Sequence, residues 1–142
     1  MELFGQQAGR LNEPGYRETV SELGVIVVEG PNDVIGLDAL GVPAVGLCSN
    51  QITEDQAAKI GRWANKLGGG TVTLMLDCDA EGENGARRSL YHLAQHARVR
   101  LAWSPTMHGG KFRGRQPESL SLEEWSSIRG ALRRGGDSAA GT

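Results

Sequence analysis

Residues 72–82 read Val72-Thr73-Leu74-Met75-Leu76-Asp77-Cys78-Asp79-Ala80-Glu81-Gly82. A short, largely apolar run with a β-branched start ends in two aspartates. Such a run is what a strand buried on both faces of a parallel sheet requires. Carboxylates directly after it fall at the strand's carboxyl end, where open parallel sheets bind their ligands. Extended backbone aims residues i and i+2 to one side, so Asp77 and Asp79 are expected to face the same way.

Working outward, Val25-Ile26-Val27-Val28 is a second buried-strand run, followed at once by Glu29 and Gly30. Ala44–Leu47 and Val99–Trp103 read as two more strands. Helical patterns separate the four. Asn32 or Asp33 is placed to cap a helix carrying Val34, Leu37 and Leu40, closed by Gly41. Thr53 and Gln56 form a capping box for the next, with Ile60, Trp63, Ala64 and Leu67 on one face and Gly68 as the stop. Ala86, Leu90, Leu93 and Ala97 mark a third helix. Strand and helix therefore alternate, which predicts an α/β fold with about four parallel strands, right-handed crossovers and helices on both faces. A C-terminal helix follows, with Ser121 and Glu124 as its capping box, Leu120 and Trp125 as a hydrophobic staple, and Ile128 and Leu132 continuing the face.

The chain divides accordingly. Residues 1–23 read as a leader or linker with at most a short helix near Arg17–Leu23, and 24–104 as the α/β domain. Residues 105–134 form a basic loop and helix packed on that domain, and 135–142 read as a disordered tail. With 142 residues there is room for one core. The net charge of −2 provides no global positive field, so a nucleic-acid partner needs a local patch or a bound cation. From Met107 to Arg134 the chain gathers Lys111, Arg113, Arg115, Arg129, Arg133 and Arg134 against three glutamates, a basic flank beside an acidic site. Cys48 and Cys78 lack CxxC spacing and read as buried thiols in a reducing compartment. No apolar run reaches the length of a membrane span, and no secretory signal opens the chain. A cytoplasmic protein without a membrane partner is expected.

Four acids converge on one sheet edge in this frame. Glu29 follows the first strand, and Asp77 and Asp79 the third. Asp33, four residues beyond Glu29, can turn back toward the same edge. Crowded carboxylates repel one another, and a cation offsets that cost. Hard oxygen ligands with room for water and phosphate suit Mg²⁺ or Mn²⁺. Gly30, Gly82 and Gly85 flank the acids where side chains would hinder a backbone turn or an approaching phosphate. Arg87 and Arg88, at the start of the following helix, and Lys111 are candidates to reach a substrate phosphate, with ordinary helix-surface charge as the alternative for the arginines. Taken singly, Asp33 is equally a helix cap and Asp79 a loop acid.

Val25-Ile-Val-Val-Glu29-Gly30 with Asp33, followed about fifty residues later by Leu76-Asp77-Cys-Asp79-Ala-Glu-Gly82, resembles the Toprim domain. That domain is shared by bacterial-type primases, type IA and type II topoisomerases, old-type nucleases and recombination mediators. Ile52-Thr53-Glu54-Asp55-Gln56 is similar to a phrase of the primase branch. The resemblance implies a Rossmann-like Toprim fold and general acid/base work or metal assistance for Glu29. It implies metal binding by Asp77 and Asp79, and a supporting or ligating role for Asp33. Gln116-Pro117-Glu118 stands where primases tend to have an Asp-Pro-Asp-like phrase but lacks the first acid, so metal binding is not carried onto Glu118. The implied function is Mg²⁺-dependent nucleotidyl transfer or phosphodiester chemistry on DNA or RNA, with nucleotides as possible substrates. A zinc-binding domain and a basic subdomain typical of primases have no counterpart in these 142 residues. The chain is therefore expected to work with replication proteins or with further primase domains. The alternatives are a non-catalytic module that binds nucleic acid or a replication protein, and a small Toprim nuclease.

Other readings fit less well. In haloacid dehalogenase-type phosphatases the Asp-x-Asp follows the first strand, not the third, and a receiver domain needs acids in a different order. Gly68-Gly-Gly70 lacks the Lys-Ser/Thr ending of a P-loop. His92 and His96 lie i, i+4 without a further ligand on that helix. Trp63, Trp103 and Trp125 read as core anchors.

Overall fold

The computed structural model describes residues 14–47 and 52–140. Four strands, β1 (Val25–Val28), β2 (Val45–Gly46), β3 (Thr71–Leu74) and β4 (Arg98–Leu101), form one parallel sheet in the order β2-β1-β3-β4. Among the described residues five α-helices accompany them: α1 (Pro14–Leu23), α2 (Pro31–Ala39), α3 (Glu54–Leu67), α4 (Ala80–Leu93) and α5 (Leu122–Ala140). The expected α/β fold is the one observed. The chain passes from β1 to β2 on one side and then crosses to β3 on the other side of β1, so the topological switch lies between β1 and β3. Glu29 and Asp77 follow those two strands.

Alternation along β1 builds the two layers. Val25 and Val27 face Ala57, Ile60 and Ala64 of α3 and Leu93 of α4. Ile26 and Val28 face Val34 and Leu37 of α2, with Phe112, Trp125 and Ile128 from the C-terminal part. All four β1 side chains are buried, each worth roughly 1.5–3 kcal/mol against exposure. Trp103 and Trp125 are core anchors as expected, while Trp63 packs on the rim of the first layer. Cys78 is buried, and Cys48 lies outside the described residues.

The α3 capping box is present in both directions, Gln56 N–H to Thr53 Oγ1 and Thr53 N–H to Gln56 Oε1, each 3.1 Å. The Ser121–Glu124 box is present likewise, at 3.1 and 3.0 Å. Three boundaries differ from expectation. The cap of α2 is Gly30, not Asn32 or Asp33. Pro31 starts the helix because its fixed φ and missing N–H cost nothing in the first turn, which moves Asp33 to the third helical position. Strands β2, β3 and β4 are shorter than their apolar runs: Met75 and Ala102 make the last bonds to the neighbouring strands, to the carbonyls of Val27 and Leu74, and the run's remaining residues Leu76 and Trp103 are buried in the core outside the ladder. The expected tail from Gly135 is replaced by helix through Ala140, since an established helix gains one hydrogen bond per added residue. Gly141 and Thr142 lie outside the described residues, as do residues 1–13 of the expected leader.

Helix α1 belongs to the fold. Val20 and Leu23 are buried, and Glu22 pairs with Arg129 (2.6 Å) and Arg133 of α5. Arg133 first, then Arg129, hold the Glu22 carboxyl at about 2 against its ordinary 4.5. Arg115 first, with the Ser121 N–H, does the same for Glu124, also to about 2. A depressed carboxylate stabilises the fold above its unfolded value and loses that contribution as pH falls through the folded one. Thermal stability is therefore expected to drop between pH 4.5 and 2. Glu22→Gln should melt lower at neutral pH and show a shallower acid decline, checked by melting curves across that window.

Candidate functional site

The first turn after β3 brings the acids together. Glu29 Oε2 accepts the Asp77 N–H at 2.9 Å, which joins the ends of β1 and β3 across the switch point. Asp79 is the N-cap of α4, its Oδ1 accepting the Gly82 N–H at 2.7 Å, and its Oδ2 has no partner among the described residues. Asp33 is buried. It accepts the Gly30 N–H at 3.4 Å and the Glu118 N–H at 3.3 Å. It thus clamps the start of α2 to the 3-10 turn Pro117–Ser119.

The four acids bear on one another's protonation. Burial, then the Glu29 carboxyl and its charge, then Asp33 and Asp79, push Asp77 up to about 7. Burial also raises Asp33 above its usual range, opposed by its two backbone donors and reinforced by the charges of Glu118 and Glu29. Burial raises the Cys78 thiol, Asp79 adds to this, and the Arg113 charge opposes it. Asp77 borders a small cleft with Gly82, Glu83, Leu101, Trp103 and Pro105. A hollow of about 530 Å³ lies beside β4, lined by Glu22, Arg98, Met107 and Leu132, and none of the four acids reaches it. Charge, not volume, marks the site.

The glycines separate into two kinds. A Cβ on Gly82 would fall on the Asp77 carbonyl, 2.8 Å from its carbon and 3.1 Å from the Asp77 nitrogen. At Gly30 a Cβ would meet nothing within 4 Å. Gly85 packs on Leu76. Of the basic candidates, Arg87 is tied to Glu83 (2.9 Å) and borders a groove of about 290 Å³ that shares Glu83, Leu101 and Ser104 with the Asp77 cleft. Arg88 is exposed, and Lys111 lies 5.3 Å from the centre of the Phe112 ring.

Among the described residues no three His, Cys, Asp or Glu side chains already form a metal cage. Magnesium does not require one. It keeps several waters and is held through one or two carboxylates with substrate phosphates. Partly exposed carboxylates that raise one another's proton affinity are the donor set such an ion relieves, and in that sense these residues fit Mg²⁺ or Mn²⁺.

Comparison with known proteins agrees with this geometry. The model of the Toprim domain matches residues 24–109. The chain belongs to the Toprim family. Its matched Toprim segment spans β1 to β4 and includes all four acids. No curated protein matches the chain in sequence. Among solved structures, it is similar to the Aquifex aeolicus primase (zinc-binding and RNA polymerase domains), with TM-score 0.64 and 22% identity, covering 92% of this chain and 29% of that one. The primase fragment of the bacteriophage T7 primase-helicase protein matches with TM-score 0.38 and 22% identity, over 61% of this chain and 37% of that one. The chain thus spans under a third of the first structure and shares its fold. No helix among the described residues is long and apolar enough to cross a membrane.

Two features of the site had no distinct sequence signal. The Glu29–Asp77 hydrogen bond joins residues 48 apart, and the Asp33–Glu118 bond joins residues 85 apart. Only the Gln116-Pro117-Glu118 phrase marked the second partner.

Proposed function

We propose that this chain is the metal-dependent Toprim part of a primase-like protein, acting on phosphodiesters of DNA or RNA together with further domains or partner replication proteins. The observation that carries the reading is the Glu29–Asp77 hydrogen bond at the sheet's switch point, which sets Glu29, Asp77 and the helix-capping Asp79 at one edge. Asp77 and the open oxygen of Asp79 would hold Mg²⁺ or Mn²⁺, with Asp33 bracing the loop beside them. When bound, the ion supplies polarisation of a phosphoryl oxygen and stabilises charge on the attacking or leaving oxygen. Glu29 fixes the Asp77 backbone through its N–H and can accept or return a proton at its carboxylate. Gly30 leaves open space beside that carboxylate. Nucleotides are the proposed substrates, and a cytoplasmic location follows from replication work.

A second reading, a binding module of Toprim shape without catalysis, is favoured by the pairing of Arg115 with Glu124 and of Arg129 and Arg133 with Glu22, which takes up cations that would otherwise grip a polyanionic substrate. Mg²⁺ titration followed by amide chemical shifts tests the metal site. Gly30, Asp77 and Asp79 are expected to respond, and silence at all three removes the metal site. Incubation with single-stranded DNA, nucleotides and Mg²⁺ then tests catalysis, with Asp77→Asn as control. Metal-dependent shifts without any product would leave the binding module.

A further inference from the structure

The basic segment sorts into neutralised and available cations. Arg115 makes a two-pronged pair with Glu124, both contacts 2.9 Å, and donates to the Ser119 carbonyl. Arg129 and Arg133 share Glu22. Arg100 is turned inward onto the carbonyls of Leu23 and Leu132. Arg113 differs. Its only side-chain hydrogen bond among the described residues is a long one, Nε to the neutral Pro105 carbonyl at 3.4 Å, and no carboxylate there pairs with it.

Its position is set by backbone. Gly114 N–H donates to the Cys78 carbonyl (2.7 Å), and Cys78 N–H donates to the Arg115 carbonyl (2.8 Å). Gly114 and Arg115 therefore bracket Cys78, the residue between Asp77 and Asp79, and Arg113 is one residue outside that bracket. Pro105, which its guanidinium touches, borders the cleft that Asp77 also lines. The Arg115–Glu124 pair anchors this loop to the start of α5 and holds Arg113 at the rim of the acidic site.

A phosphodiester approaching four carboxylates is repelled unless its oxygens facing away from the metal find a positive partner. A planar guanidinium with unused donors matches phosphate geometry better than a lysine ammonium. We propose that Arg113 is the residue that takes the substrate phosphate beside the acidic pair. This rests on the phosphodiester reading above.

The test uses the full chain, Arg113→Ala and Arg113→Lys, with a short fluorescent single-stranded oligodeoxynucleotide in Mg²⁺ at several salt concentrations. Amide shifts on Mg²⁺ addition are recorded in parallel. Arg113→Ala is expected to bind about tenfold more weakly. The slope of log affinity against log salt should become shallower by about 0.7, the loss of one single-strand phosphate contact. Arg113→Lys should fall between, and the Mg²⁺ shifts should match wild type. Arg113→Ala binding as tightly as wild type with the same salt slope, Mg²⁺ shifts intact, overturns this inference alone. So does a wild type that responds to Mg²⁺ but does not bind the oligonucleotide. A wild type silent to Mg²⁺ overturns the phosphodiester reading, and the inference with it.

Discussion

Asp77→Asn is expected to abolish any metal-dependent chemistry of this chain and most of its Mg²⁺ response, while raising the stability of the metal-free protein. The two effects share one cause. Burial and three neighbouring acids raise the Asp77 carboxyl from 3.8 to about 7. The folded state therefore binds more protons than the unfolded one between those values. Stability is highest below the unfolded value and declines as pH rises toward 7, reaching its full penalty above it. Allowing for partial solvent screening, that penalty is on the order of 2 kcal/mol. Asparagine keeps the shape and loses the charge, so its melting temperature should lack most of this decline between pH 4 and 7. Because Glu22 and Glu124 weaken the fold below pH 4.5, metal-free wild type should be most stable in a narrow band near that value. Melting curves of both proteins across pH, with and without Mg²⁺, check this. Mg²⁺ should restore wild type at neutral pH and leave Asp77→Asn unchanged. Equal pH profiles for the two proteins would show that Asp77 carries no such load.

Gly82→Ala is expected to be the most damaging single-methyl change at the site. The new Cβ would occupy the place of the Asp77 carbonyl, and the obstacle is backbone rather than a side chain that can turn away. Either the first turn of α4 or the Asp77 loop must move, at a cost of about 3 kcal/mol or more. The Gly82 N–H that donates to the Asp79 cap moves with it. A lowered melting temperature and lost Mg²⁺ shifts at Asp77 and Asp79 should therefore appear together. Gly30→Ala is the matched control. It caps α2 in extended backbone and a Cβ there meets open space, so the cost should stay within about 1 kcal/mol. A Gly82→Ala protein as stable as Gly30→Ala would contradict the close packing of α4 on the Asp77 loop.

The contrast between these two glycines shows how far sequence reading reached. Both stood beside acids after strands, and spacing alone could not separate them. Gly82 is required by a backbone contact within its own turn, whereas at Gly30 nothing in the fold demands glycine. The same holds for Asp33. Its place four residues after Glu29 was legible, but Pro31 decided that it became the third residue of α2 rather than its cap. Its second bond, to Glu118, depends on the C-terminal segment folding back.

By itself, the sequence determined the alternation of strands and helices, the two-layer core, the capping boxes of α3 and α5, and the placement of four acids at one sheet edge. Those are consequences of short-range periodicity, in which one residue's partners lie within a turn or a pleat. Tertiary structure decided that Asp77 and Asp33 carry raised carboxyls, which cations are already paired, and that the basic loop is fastened to Cys78. These depend on burial and on contacts between residues far apart in the chain. Electrostatic energy varies with distance and desolvation, and neither is written in spacing.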